Sequence, residues 1–156
     1  LGKPININSP RLPVCNYGKT KSEFSDLVKI LSKSLNARCR VLRAFHVFGK
    51  NENKKRLVTS LLKAIKEEKN FIIQNPMAIL DYSNVDDIVK NILRAVNFPK
   101  TINKSYEVWH LASGKAVKIS EFLKNLSKKN NYKKKLIYKK SQFNLDHHIS
   151  DKKSIW

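Results

Sequence analysis

Short apolar segments alternate with amphipathic segments along almost the whole chain, and this alternation restricts the fold more than any other feature. Apolar residues at spacings of three and four predict helices, whereas short runs of β-branched and aromatic residues predict strands. Helices are predicted to begin near Tyr17, Arg56, Asp86 and Ser120. Strands are predicted at 39–45, 71–74, 77–82, 106–111 and 136–138. Strands that alternate with helices are typical of the α/β class.

Two of the predicted helices have a marked apolar face. The first helix carries a stripe at helical spacing, formed by Phe24, Leu27, Val28, Leu31 and Leu35. In the third helix, the residues predicted to be buried are Ile88, Ile92, Leu93 and Val96. Amphipathic helices of this kind pack their apolar face against a sheet or another helix.

The chain has 156 residues and a formal net charge of +20, which would draw it toward nucleic acid or anionic lipid. The basic residues are spread over the whole length and are mostly lysine, whereas bidentate recognition of bases and phosphates favours arginine. Lysine, asparagine and isoleucine together are also what an AT-rich coding sequence yields. The charge therefore has three candidate origins: coding composition, which we favour, a nucleic-acid surface, or an acidic or phosphorylated small-molecule ligand.

Neither a membrane segment nor a metal site is predicted. No apolar run approaches the roughly 18 residues of a transmembrane helix, and no charged-then-apolar leader opens the chain, so we expect a cytoplasmic protein. Cys15 and Cys39 are too few for a disulfide framework or a metal cluster. His147 and His148 are adjacent, so their side chains would splay apart, and we interpret them as part of a solvated tail.

Tyr17 and Lys21 are four residues apart at the start of the first predicted helix, which places their side chains together on one face. A phenol is a poor base at neutral pH, but an ammonium about 4 Å away stabilises the phenolate by roughly 4 kcal/mol at an effective dielectric of about 20. Such a pair suits general acid–base catalysis. Considered alone, the same spacing also fits a tyrosine beside a solvated lysine on a surface helix.

Further patterns follow the Tyr-Lys pair in a fixed order. Leu-Arg-Ala-Phe-His-Val-Phe-Gly occupies 42–49, and Arg-Leu-Val occupies 56–58. Asp-Tyr-Ser-Asn-Val-Asp-Asp follows at 81–87, and two late patterns lie at 108–114 and 151–156. In this order, and over nearly the whole chain, they resemble the landmarks of the extended short-chain dehydrogenase/reductase family. That family includes NAD(P)-dependent nucleotide-sugar epimerases, dehydratases and 4-ketoreductases.

The resemblance implies a particular architecture within the α/β class. It implies the C-terminal part of a Rossmann-type parallel sheet together with a small mixed α/β substrate-binding domain. Residues 1–48, with the strand at 105–114, would close the NAD(P)-binding domain. Residues 49–104 and 115–156 would form the substrate-binding domain. Members of the family often dimerise through a helical bundle, so the resemblance also implies a homodimer.

The resemblance also assigns roles to individual residues. Tyr17 would be the acid/base for a sugar hydroxyl, and Lys21 would favour the ionised phenol and hold the nicotinamide ribose. Phe45 would lie at the nicotinamide end of the cofactor, NAD or NADP. His46 would contact the nucleotide-sugar substrate, and Arg56 would bind its diphosphate.

Several family features are missing from the chain. The glycines stand singly at positions 2, 18, 49 and 114, without the Gly-x-x-Gly-x-x-Gly turn that holds the cofactor pyrophosphate. By the resemblance, the catalytic Ser or Thr would lie before Gly2, so we expect the chain to be the C-terminal half of such an enzyme. A fragment that works only after pairing with a separately encoded N-terminal half is one alternative. His46 and His110 replace asparagine, and Leu80 replaces an arginine. A non-catalytic remnant, or a relative that binds RNA or another polyanion, is the other alternative.

Overall fold

The computed structural model describes residues 4–98 and 105–139, together with the backbone of residues 147–148. Its helices are α1 (Asn16–Ser34), α2 (Leu57–Lys66), α3 (Val85–Asn97) and α4 (Ile119–Lys129). Its strands are β1 (Cys39–Ala44), β2 (His46–Phe48), β3 (Phe71–Ile73), β4 (Ile79–Asn84), β5 (Tyr106–Leu111), β6 (Ala116–Lys118), β7 (Leu136–Tyr138) and β8 (His147–His148). The predicted α/β class is confirmed. The predicted helices and strands are present, whereas β2, β6 and β8 were not expected.

The strands form three small sheets that are mostly parallel. β1 pairs in parallel with β5, from Cys39 opposite Tyr106 to Ala44 opposite Leu111. β4 pairs in parallel with β2 and β8 and antiparallel with β6, and β3 pairs in parallel with β7. The interpretation of His147 and His148 as a solvated tail is wrong for their backbone, which pairs with Ile79 and Leu80 of β4.

Helices α1 and α3 cover opposite faces of the β1–β5 sheet. The Tyr106 hydroxyl donates to the Ser25 carbonyl of α1 at 3.2 Å. The guanidinium of Arg40 donates to the Ala95 carbonyl of α3 at 2.5 Å and to the Glu107 carboxylate at 2.9 Å. Tyr106 and Glu107 are consecutive strand residues, so their side chains point to opposite faces. The β1–β5 sheet is therefore sandwiched between two helices, as in a doubly wound domain.

A second core lies beneath α2 and α4, next to β3, β4 and β7. Its buried members come from several elements and include Leu61, Ile73, Leu80 and Leu123. Phe71, Phe122 and Leu136 are partly buried against this core. Apolar residues recur at helical spacing in α2 and in α4, so each helix packs one apolar face against the strands. None of the described helices is long and apolar enough to cross a membrane.

The prediction that α3 buries Ile92, Leu93 and Val96 is wrong. Their exposed fractions are 39%, 57% and 73%, whereas Ile88 is 6% exposed. Helix α3 packs on the sheet through Ile88 and the small Ala95, which is 3% exposed. The small alanine lets the helix approach the sheet closely, and the larger apolar residues then lie on its outer side.

The apolar stripe of α1 also faces outward. Phe24, Leu27 and Leu35 are 59%, 50% and 70% exposed, whereas the buried residues of this helix are Ser25 and Ser32. Each buried serine satisfies its hydroxyl by donating to a backbone carbonyl of the same helix, three or four residues earlier. Within the described residues, β1 pairs with β5 alone, so one edge of β1 is open beside this exposed helix face.

Candidate functional site

Tyr17 and Lys21 lie on the first turns of α1, where helical spacing brings their side chains together. The Lys21 ammonium is 5.5 Å from the centroid of the Tyr17 ring, and Tyr17 is 73% exposed. A Cβ on Gly18 would lie only 3.2 Å from Cβ of Pro13, so the chain entering the helix packs tightly against this turn. The Tyr17 phenol is thus accessible to a ligand beside an ammonium. Its catalytic role stays a prediction.

A basic cavity of about 310 Å³ lies beside Lys21 and is lined by Arg11 and Arg43. Arg11 is fixed to α1, because it donates to the Ser22 carbonyl at 2.7 Å and pairs with Asp26 at 2.5 Å. Desolvation by burial, followed by the charge of Arg11, lowers the pKa of Arg43. Three cations around one cavity favour an anionic group within it. Sequence reasoning did not identify Arg11, because its position depends on a tertiary ion pair.

Phe45 and His46 lie where β1 ends and β2 begins. The Phe45 ring meets the ring of His110 edge-on, with centroids 5.1 Å apart, and its backbone N–H donates to the Leu111 carbonyl at 3.1 Å. His46 stands opposite Tyr82 of β4, with ring centroids 5.7 Å apart. The chain therefore passes from the β1–β5 sheet to the β4 sheet at these two residues. The carboxyl ends of parallel strands are where α/β proteins bind ligands.

The structure brings His46 and Arg56 to the same cavity of about 260 Å³. Glu52, Lys55 and Tyr82 also line it. The Tyr82 ring stacks on Phe122 at 4.2 Å and is nearly parallel to it, which fixes one wall. Burial raises the pKa of Tyr82 to about 12, so its hydroxyl stays neutral. The cavity combines an aromatic wall with two cationic side chains at its mouth, an arrangement that suits a ligand with a ring and an anionic group.

The loop between β2 and α2 places Arg56 at this cavity. Glu52 accepts hydrogen bonds from Nε of Arg56 at 3.2 Å and from the Thr59 hydroxyl at 2.9 Å. Gly49 begins the loop, and a Cβ there would lie 2.3 Å from Cγ1 of Val85 at the start of α3. Glycine is therefore required where the loop leaves β2. Lys21 and Arg56 line separate cavities.

Asp81 organises the turn that follows β5, and sequence reasoning had assigned it no role. Its carboxylate is completely buried and accepts three hydrogen bonds. The donors are the Ser113 N–H at 2.8 Å, the Ser113 hydroxyl at 2.7 Å and the Gly114 N–H at 2.8 Å. Gly114 has φ of 70°, a left-handed conformation that favours glycine. Leu80, which stands where the family resemblance has arginine, belongs to the buried core.

Comparison with known proteins gives both a family match and structural matches. A family model described as NAD dependent epimerase/dehydratase family matches residues 3–111. UDP-glucose 4-epimerase from Thermotoga maritima, solved with UDP-glucose, is 22% identical with a TM-score of 0.82, and the match covers 95% of this chain and 48% of that one. UDP-N-acetylglucosamine 4-epimerase from Methanobrevibacter ruminantium, in complex with UDP-N-acetylmuramic acid, is 19% identical with a TM-score of 0.84 and coverages of 95% and 48%.

A third structural match is named as a dehydratase, whereas the first two are named as epimerases. dTDP-glucose 4,6-dehydratase from Bacillus anthracis, solved with NAD, is 16% identical with a TM-score of 0.77, and the match covers 96% of this chain and 48% of that one. The chain therefore spans about half the length of these solved structures. At these identities the matches show a shared fold. No curated protein matches the sequence.

Proposed function

Because this chain belongs to the NAD dependent epimerase/dehydratase family, we propose that it forms the acid–base and substrate-binding half of an enzyme that acts on a nucleotide sugar. The observation that carries this proposal is the pairing of an exposed Tyr17 phenol with the Lys21 ammonium on α1. The reaction would be an epimerisation, dehydration or 4-keto reduction with NAD or NADP. The nucleotide sugars named for the solved relatives, such as UDP-glucose, support this substrate class.

Tyr17 would remove or return the proton of a sugar hydroxyl. When bound, NAD(P) supplies the complementary chemistry, accepting or donating a hydride at the same sugar carbon. Lys21 would stabilise the phenolate that forms when Tyr17 gives up its proton, and would donate hydrogen bonds to ribose hydroxyls. The exposure of Tyr17 supports this role, because the phenol oxygen must contact the substrate directly.

The described residues fit one end of the cofactor. Lys21 would donate hydrogen bonds to the nicotinamide ribose, and Phe45 follows β1 at its carboxyl end, where α/β proteins bind ligands. A pyrophosphate is normally held by the backbone amides of a glycine-rich turn at a helix start. The glycines of this chain are isolated from one another. We therefore assign the nicotinamide end to this chain and the pyrophosphate site to another segment.

His46 and Arg56 would hold the substrate. Their shared cavity has an aromatic wall and a cationic mouth, which supports a sugar ring packed near Tyr82 and a diphosphate beside Arg56. Arginine is suited to this task because its planar fork donates two hydrogen bonds to one phosphate. We propose that residues 49–104 and 115–156 form this substrate domain, and that 1–48 with 105–114 close the cofactor domain.

An N-terminal half, on the same polypeptide or separately encoded, would complete the fold along β1. Among the described residues, β1 is paired along one edge only, so its other edge can accept another parallel strand, and α1 and α3, which cover the two faces of this sheet, carry exposed apolar residues. Several large apolar residues exposed on one helix face favour an interaction site there. The outer face of α1 also fits a helix of a second copy, which would give the proposed homodimer.

Two experiments test the function, one on the purified chain alone and one on the complete enzyme. NADH titrated into the purified chain is expected to give no fluorescence change, because the pyrophosphate site is absent. Tight stoichiometric binding would refute the assignment of that site to another segment. In the complete enzyme, Tyr17→Phe is expected to abolish turnover while nucleotide-sugar affinity changes by only a few-fold. Unchanged turnover would refute the acid/base role.

A polyanion-binding relative is the second candidate, and the net charge of +20 is the observation that favours it. Binding of this kind weakens steeply with added salt, because counterions are released from the nucleic acid. Retention of random RNA by the purified chain, measured across a salt series, tests it. Strong, steeply salt-dependent retention together with no affinity for a nucleotide sugar would favour this candidate.

A further inference from the structure

The side chain of Glu52 is held by two hydrogen bonds. Its Oε1 accepts from Nε of Arg56 at 3.2 Å, and its Oε2 accepts from the Thr59 hydroxyl at 2.9 Å. The Glu52 side chain is 13% exposed, whereas the Arg56 side chain is 56% exposed. Glu52, the less exposed member of the ion pair, is thus anchored to the first turn of α2, and it restrains the more exposed Arg56.

The hydrogen bond from Arg56 to Glu52 uses only Nε and leaves the two terminal nitrogens of the guanidinium available. Glu52 contacts Nε, so the terminal nitrogens of the guanidinium remain able to pair with a phosphate. A long exposed arginine loses conformational freedom when it binds, and restraining it beforehand reduces that cost. An ion pair with an exposed member contributes little to the free energy of unfolding. We therefore expect the main effect of the Glu52–Arg56 pair to be on the orientation of the guanidinium.

We propose that Glu52 is a positioning residue, which holds Arg56 at the mouth of the cavity in the orientation that binds a diphosphate. The inference rests on the proposed function, because it assigns Arg56 to the nucleotide-sugar diphosphate. The change in diphosphate affinity expected from losing Glu52 is opposite in sign to the change expected from charge alone. Loss of a negative charge near the site would by itself strengthen the binding of an anion, whereas loss of positioning weakens it.

The test compares UDP with uridine by titration calorimetry on the purified chain, so that the difference reports the diphosphate contribution. Glu52→Ala is expected to weaken UDP binding about tenfold and to leave uridine binding unchanged. The tenfold loss corresponds to part of the free energy of one charge-assisted hydrogen bond. Glu52→Gln should bind UDP with intermediate affinity, because an amide oxygen can still accept from Arg56. Glu67→Ala is the charge-matched control, since Glu67 pairs with Lys63 and Lys69 at the other end of α2.

The outcomes separate the inference from the function on which it rests. Unchanged or tighter UDP binding by folded Glu52→Ala would overturn the positioning role and leave the diphosphate assignment intact. Equal affinity of the unaltered chain for UDP and uridine would overturn both. If Glu52→Ala fails to fold, Thr59→Val removes one anchor of Glu52 and is expected to weaken UDP binding by a smaller factor. UDP affinity unchanged by Thr59→Val would then refute the inference.

Discussion

At the scale of single residues, the contacts that order the candidate site come from polar groups whose partners are distant in sequence. Asp81 binds the turn at Ser113 and Gly114, and Arg11 binds Asp26 on α1. Hydrophobic spacing cannot reveal such pairs, because it reports only which residues share a face of their own element. The neighbours Tyr17 and Lys21 were predictable because their spacing along one helix fixes their proximity.

The buried carboxylate of Asp81 leads to a prediction about stability. In Asp81→Asn, only one side-chain oxygen remains to accept, and the amide NH₂ then faces a backbone N–H that it cannot bond. The free energy of unfolding is expected to fall by about 2–3 kcal/mol, since bonds to a charged acceptor are lost inside the protein. Urea denaturation measures this loss. Asp87→Asn, which removes an exposed ion pair with Lys90, serves as the control and should change little.

At the scale of helices and strands, the sequence predicted which segments are helical better than which face is buried. The residues of α3 that contact the sheet include the small Ala95, whereas Leu93 and Val96 lie outside. Counting large apolar residues selects the wrong face when a small residue allows the closest approach. The strand β2 begins only two residues after the end of β1, so no turn signal separates the two, and β6 is Ala-Val-Lys, with a single β-branched residue; neither was therefore recognised from sequence.

One side chain, Arg40, fixes α3 to the sheet. It bonds the Ala95 carbonyl near the end of α3 and pairs with Glu107 of β5, and its guanidinium lies 4.5 Å from the Trp109 ring centroid. Arg40→Ala is expected to lower the free energy of unfolding by about 2–3 kcal/mol, because a charge-assisted network and its stacking are lost together. Hydrogen exchange in α3 should accelerate more than exchange in α2.

Lys63→Ala is the matched control for Arg40→Ala. Lys63 pairs with Glu67 at 3.7 Å, and its side chain is 67% exposed, so little stability should be lost. Equal effects of the two substitutions would contradict the role of Arg40. Equal acceleration of exchange in α2 and α3 by Arg40→Ala would show that Arg40 supports the whole molecule and does not specifically hold α3.

At the scale of the whole molecule, the two cores of the chain differ in how much apolar surface they leave exposed. The core beneath α2 and α4 buries Leu61, Ile73 and Leu123 completely, whereas, in the part of the chain that the structure describes, β1 is paired along one edge only and α1 and α3 carry exposed apolar side chains. This asymmetry agrees with a chain that spans about half of its solved relatives. The lack of a glycine-rich turn can be read from the sequence. The exposure of the large apolar residues of α1 and α3 could not be, because it depends on tertiary packing.

The open surface leads to the last prediction, which concerns association in solution. With Leu27 half exposed on the outer face of α1, the isolated chain is expected to associate through this face. Leu27→Asp places a charge there without disturbing the buried residues Ser25 and Ser32, so the chain should stay folded and sediment as a smaller species. Sedimentation velocity over a range of concentrations measures the change. Lys29→Gln is the control, because it lowers the net charge by the same one unit at an exposed position on the opposite face of α1, and this chain should sediment like the unaltered one. A Leu27→Asp chain that also sediments like the unaltered one would show that another surface drives the association.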